Sequence, residues 1–231
     1  MSWLSFFLAL SLPLPVAAQE RFDVLIRGGR VLDGTGNPWY RSDVGVRDGR
    51  IAAMGRLEAA RADVVIEAGE WYVVPGFIDV HSHADEGLDR EELKGAVPLL
   101  LQGITTAVLN PDGGGPWPLS EQRARYEARG IGVNAALMVG HGAVRSEVMG
   151  MEDRPPTDEE LGRMKALVRE GMAAGAFGLS SGLYYAPGSY AATEEVIALA
   201  REVHPAGVYS SHIRDESDYT VGLLAAVEEV V

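Results

Sequence analysis

Residues 77–85, FIDVHSHAD, set His81 and His83 one residue apart at the end of an apolar run. In an extended strand, side chains two apart point the same way, so both imidazoles project from one face with Phe77 and Asp79 below them. Two neutral imidazoles so placed form a bidentate claw for a borderline metal such as Zn²⁺. The same spacing also suits two polar residues at a strand end. Asp79, on the claw's face but one layer deeper, is placed to orient a ligand imidazole. His212, in YSSHIRDESD, and His141, in VGHGAVR, close two later strand-like segments. For His141, contact with substrate or support of a ligand is as good a reading as coordination. His204, before Pro205, reads as a solvated charge at a helix end. The chain has no cysteine, which excludes disulfides, thiolate metal sites and a cysteine nucleophile.

These side chains need a frame, and the chain changes texture to supply one. From residue 22 to about 74, short β-rich runs alternate with turn pairs. Asp48-Gly49, between VGVR and RIAAM, is a two-residue hairpin signal because both turn positions favour positive φ. After Pro75-Gly76, strands alternate with helices, the strands expected at 77–83, 106–112, 132–141, 176–181 and 207–212. Between them, T-D-E-E at 157–160 is a capping box, followed by apolar residues at helical spacing up to Gly175. A further helix spans 194–203 and stops at Pro205. Such alternation predicts a parallel sheet, either a barrel or an open doubly wound sheet. PDGGGP at 111–116 lacks the spacing and the Lys-Ser/Thr of a phosphate loop, so a nucleotide site is not expected. Polar residues instead gather at the strand ends, where an α/β barrel builds its active site. In a barrel, His212 looks across the same mouth as His81 and His83.

The expected architecture is therefore α/β: a small β-domain over 19–75, then part of a TIM-like (β/α)8 barrel over 76–231. A strand–helix unit takes about 30 residues, so 76–231 holds about five units of the eight. The net charge of −13 with no basic run argues against a nucleic-acid or anionic-membrane partner. Residues 1–18 look like a secretory leader, apolar from Trp3 to Val16 with small residues at 16–18. That run is too short to span a bilayer and is broken by Pro13 and Pro15. The expectation is export to the periplasm or outside the cell, with no stable membrane anchor after leader removal.

PGFIDVHSHAD after an N-terminal β-domain resembles the amidohydrolase superfamily. QGITTAVLN, GHGAVRSEVMG, RPPTDEEL, GAFGLSSGLYYAPGSYA and YSSHIRDESD, in that order, resemble its D-aminoacylase branch, the N-acyl-D-amino-acid deacylases. The resemblance implies a TIM-like barrel holding one or two zinc ions or another divalent metal. The implied reaction is hydrolysis of the amide of a small N-acyl-D-amino acid. His81 and His83 match the family's first-strand ligands and His212 its fifth-strand ligand, while Tyr185 matches a position suited to substrate contact. Alignment on QGITT sets Asp112 where the family carries a metal-binding cysteine. A carboxylate is also a zinc ligand, though it can instead merely shape the turn before Gly113. AFGLSSGL holds no lysine for a carboxylated-lysine bridge, which favours the deacylases over the hydantoinases. The resemblance places another histidine ligand and the general-base aspartate beyond Val231. No catalytic residue is then expected within these 231 residues, and the chain alone is expected to be inactive and poorly soluble. Two other outcomes stand beside this one: hydrolysis of a cyclic amide or a D-dipeptide, and a metal-binding half-barrel without catalysis.

Overall fold

A computed structural model describes residues 20–231, so the leader segment read at 1–18 and Gln19 lie outside the described residues. The chain divides into two compact units at Pro75/Gly76.

The first unit is a sheet of β1 (Arg21–Val31), β2 (Tyr40–Arg47), β3 (Arg50–Gly55), β4 (Arg61–Glu67) and β5 (Tyr72–Val73). Its order is β3-β2-β1-β4, with β5 also pairing β1. The β2–β3 hairpin turns on Asp48 and Gly49, both at positive φ (52° and 68°), as the Asp-Gly pair requires. Phe22, Leu25 and Ala60 make its small core.

The second unit begins with β6 (Phe77–Asp79), the short helices α1 (Asp85–Leu88) and α2 (Val97–Leu100), β7 (Ile104–Leu109), α3 (Leu119–Arg129) and β8 (Asn134–Leu137). It continues with β9 (Val139–Gly140), α4 (His141–Met149), α5 (Asp158–Ala173), β10 (Gly178–Gly182), α6 (Thr193–Val203), β11 (Val208–His212) and α7 (Leu223–Val230). The strands form two three-stranded sheets, β6-β7-β8 and β9-β10-β11, and every pairing in them is parallel. Parallel strands need crossovers long enough to cover a sheet face, and helices supply most of them. Leu109, Val139, Val144, Met164, Val168, Leu179 and Leu199 fill the core between strands and helices. Helix α5 starts as its sequence demands. Thr157 Oγ1 accepts from the Glu160 N–H (3.2 Å) and the Glu160 carboxylate accepts from the Thr157 N–H (2.8 Å), so two orphan donors are paired.

Several strands end earlier than the hydrophobic pattern suggests. The first stops at Asp79, and His81 and His83 lie beyond it. The His81 N–H turns to the Asp79 carboxylate (3.2 Å), while the Ser82 N–H still reaches Val108 O (3.0 Å). The second stops at Leu109 because Asn110 and Asp112 adopt left-handed φ (61° and 56°), which breaks the ladder. The expected strand over 132–141 is split into β8 and β9, and His141 opens helix α4 instead of ending a strand. Ile78 and Val80, on the strand face opposite the histidines, are exposed.

Candidate metal centre

The loop after β7 carries Asp112 and is locked from below by Ser180 of β10. The Ser180 hydroxyl donates to Asn110 O (2.6 Å) and accepts from the Gly113 N–H (3.2 Å), clasping both ends of the turn. Asn110 is itself buried in a reciprocal amide pair with Gln122 (2.9 and 3.0 Å). The turn lies directly on the end of β10. A Cβ on Gly182 would sit 2.1 Å from Asp112 O, and one on Gly113 would sit 2.8 Å from the Gly182 nitrogen. Only glycines allow this approach.

So held, the Asp112 carboxylate faces three imidazoles. Its Oδ2 lies 3.2 Å from His83 Nε2, and its Oδ1 lies 3.4 Å from His81 Nε2 and 3.8 Å from His212 Nδ1. The two histidines of the H-x-H pair are neighbours, with ring centroids 5.3 Å apart. Among the described residues, ligand atoms of His81, His83 and Asp112 fall within 4.8 Å of one another. Asp112 Oδ1 and His212 Nε2 are buried and make no hydrogen bond. Ligands about 2.0–2.1 Å from one tetrahedral ion are about 3.3 Å apart, which is the spacing between Asp112 and the first pair. The donor set, three imidazoles and a carboxylate, suits a borderline divalent metal.

Tyr185 packs on His212 with ring centroids 4.7 Å apart, and Tyr184 lies 5.8 Å from the same ring. Partial desolvation, then the Asp112 and Glu216 carboxylates, raise the Tyr185 phenol above its ordinary range. It therefore stays protonated as a donor at neutral pH. A cavity of about 510 Å³ opens beside the cluster, between the Gly113–Gly115 turn, the start of α4 and the Tyr185–Gly188 loop, with His83 and Asp112 on its wall.

Two residues read as site candidates stand elsewhere. His141 is fully buried and its Nε2 meets Glu195 Oε1 at 2.8 Å, while Arg145 pairs with the other carboxylate oxygen of Glu195. Burial works to raise the Glu195 carboxyl, but the hydrogen bonds from His141 and Arg145 hold it below the usual range. This ion cluster anchors α4 to α6. Asp79 spends its carboxylate on the His81 backbone rather than on a ligand ring. Residue patterns gave no role to Asn110, Ser180 or Glu216. Left-handed backbone, buried amide pairs and a carboxylate four residues past a histidine leave no periodic mark.

A mixed α/β chain whose parallel strands lead to this cluster is structurally similar to the amidohydrolases, including a crystal structure of D-aminoacylase described as defining a novel subset of them (TM-score 0.80, 38% identity, 90% of this chain and 48% of that one). The chain is a homologue of the D-aminoacylases. It is 40% identical over 235 residues to a D-aminoacylase of Alcaligenes xylosoxydans xylosoxydans, covering 91% of this chain and 47% of the relative. The N-acyl-D-glutamate deacylase of Bordetella bronchiseptica, solved with zinc and a phosphonate mimic of the tetrahedral intermediate, matches with a TM-score of 0.83 and 37% identity over 91% of this chain and 48% of that one. The chain thus spans about half the length of the relatives it matches. No protein-family model matches it.

Proposed function

We propose that the whole protein is a metal-dependent amidohydrolase that cleaves the linear amide of N-acyl-D-amino acids. One observation carries the reading: in a homologue of deacylases, His81 and His83 meet the Asp112 carboxylate at the spacing of a shared ion, with His212 Nδ1 3.8 Å from the same carboxylate. These four residues would hold zinc, as one ion or as part of a pair. When bound, the metal supplies a water of lowered pKa and polarises the acyl carbonyl. Asp112 contributes a hard, charged oxygen donor, and the Ser180 clasp fixes its position before anything binds. Tyr185, kept protonated and packed beside His212, donates a hydrogen bond to a substrate oxygen. The cavity along the glycine turn receives one arm of the substrate, and its backbone can come close because Gly113 and Gly182 carry no side chain. His141 and Asp79 act on the frame, through Glu195 and through the His81 backbone.

The two parallel sheets are read as arcs of one (β/α) barrel over 76–231, supported by the strand–helix alternation and by the likeness to D-aminoacylase, and 19–75 as its accompanying β-domain. Export rests on the leader pattern of residues 1–18, which lies outside the described residues.

The test is an assay of the whole protein, stripped of metal and then loaded with zinc, against N-acetyl-D-methionine, its L-enantiomer, a hydantoin and a D-dipeptide. Zinc-dependent release of the free D-amino acid, with the L-enantiomer far slower, is expected. Zinc binding without any hydrolysis would leave a metal-binding protein, and hydrolysis of the ring or the dipeptide alone would replace the substrate class.

A further inference from the structure

We propose that Glu216 is a positioning residue for His212: its carboxylate fixes which edge of the imidazole faces the Asp112 cluster and which nitrogen carries the proton. The proposal rests on the metal-site reading above. His212 presents opposite edges to two carboxylates. Nδ1 lies 3.8 Å from Asp112 Oδ1, on the side of the cluster, and Nε2 lies 3.3 Å from Glu216 Oε1. Nε2 is buried and forms no well-aligned hydrogen bond, so Glu216 is the acceptor placed to take its proton.

The ring's plane is already restricted by Tyr185 and Tyr184, whose centroids lie 4.7 and 5.8 Å away. Such tilted packing does not distinguish the two edges of an imidazole. A half-turn about the bond to the ring exchanges Nδ1 with Cδ2 and would aim carbon at the cluster. A carboxylate at Nε2 favours one of the two orientations and, with it, the tautomer that leaves the Nδ1 lone pair free. A carboxylate accepting from a ligand's far nitrogen also raises that ligand's basicity.

Glu216 would be a poor orienter on a loose loop, since its side chain is 58% exposed. Its neighbour removes that freedom. Asp215, fully buried, accepts the N–H groups of Ser217 (2.9 Å), Tyr219 (3.1 Å), Thr220 (2.5 Å) and Gly222 (3.0 Å), and the Thr220 hydroxyl (3.1 Å). One carboxylate thereby folds residues 215–222 around itself, and Glu216 leaves that knot pointing at His212. Asp215 builds the support and Glu216 does the aiming.

The experiment is ¹⁵N–¹H correlation of the histidine rings in the whole, metal-free protein at about pH 8, where an ordinary imidazole is neutral, with His212→Gln to assign the signal. Zinc affinity is measured beside it by competition with a chromogenic chelator. The native protein is expected to show His212 protonated at Nε2. Glu216→Ala should give mixed tautomers and weaken zinc by about 10–100-fold, and Glu216→Gln, which keeps an acceptor oxygen without the charge, should recover part of both. An unchanged tautomer with zinc affinity within about twofold of native in Glu216→Ala would overturn the proposal. Because the tautomer is read without metal, a protein that shows it but binds no zinc refutes the metal-site reading and leaves this one standing. Glu216 is exposed, so its variants keep the fold, and the remaining histidine signals report that directly.

Discussion

Asp112 is the residue on which the site turns. It occupies the position where the resemblance puts a cysteine, and among the described residues it is the one carboxylate that all three imidazoles approach. A thiolate is a soft donor and a carboxylate a hard one, so the exchange shifts metal preference without abolishing coordination. Asp112→Asn should weaken zinc binding at least tenfold, because a neutral amide oxygen replaces an anionic one. Asp112→Cys should bind zinc again and favour cadmium more than the native protein does. Chelator competition with both metals measures this, and an Asn variant with native affinity would remove Asp112 from the ligand set. The H-x-H pair was legible because i, i+2 spacing survives even where the strand stops short of it. His141 was not, since a histidine after Val-Gly looks the same at a strand end as at the first position of a buried helix. Its Nε2 serves Glu195 instead.

Among the elements, the clasp between β10 and the loop after β7 does most to shape the site. Ser180 is buried and holds Asn110 O and the Gly113 N–H together. Ser180→Ala leaves those two backbone groups without their partner, at a cost of about 1–3 kcal/mol. Both the urea midpoint and zinc affinity should fall, since the turn that carries Asp112 loosens. A lower midpoint with native zinc affinity would mean that the clasp serves the fold alone. Sequence patterns located this strand and the long helix α5 well, because alternation, apolar spacing and a capping box are local signals. Strand ends were overrun by up to four residues at 77–83 and split at 132–141. At 77–83 the Asp79 side chain takes a backbone N–H, and at 106–112 the left-handed Asn110 and Asp112 break the ladder; hydropathy records neither.

At the scale of the molecule, buried and ion-paired carboxylates set the response to acid. Arg154, with the Thr157 N–H, holds Glu160 at about 2 against an ordinary 4.5. For Glu195 and Glu229, burial raises the carboxyl, but His141 and Arg145 in one case and Arg214 and Thr193 in the other bring it below the usual range. A carboxylate lowered on folding adds stability that is fully present above its unfolded value and disappears as the pH falls through its folded one. The urea midpoint should therefore hold above about pH 5 and fall steadily between about 4.5 and about 2. A midpoint that stays level across that interval would show that these pairs contribute nothing net. Fold class followed from strand–helix alternation, whereas the convergence of residues 81, 83, 112 and 212 depends on contacts between distant strands, which no local pattern encodes.

What the three imidazoles and Asp112 hold decides the function of the site. A crystal of the whole protein grown with zinc, measured on both sides of the zinc absorption edge, answers that directly. The expected result is an anomalous peak about 2.0–2.2 Å from Asp112 and from the imidazole nitrogens of His81 and His83, with His212 in the shell of that ion or of a second beside it. Zinc-loaded crystals with no peak at this cluster, or with a peak that Asp112 does not touch, would contradict it.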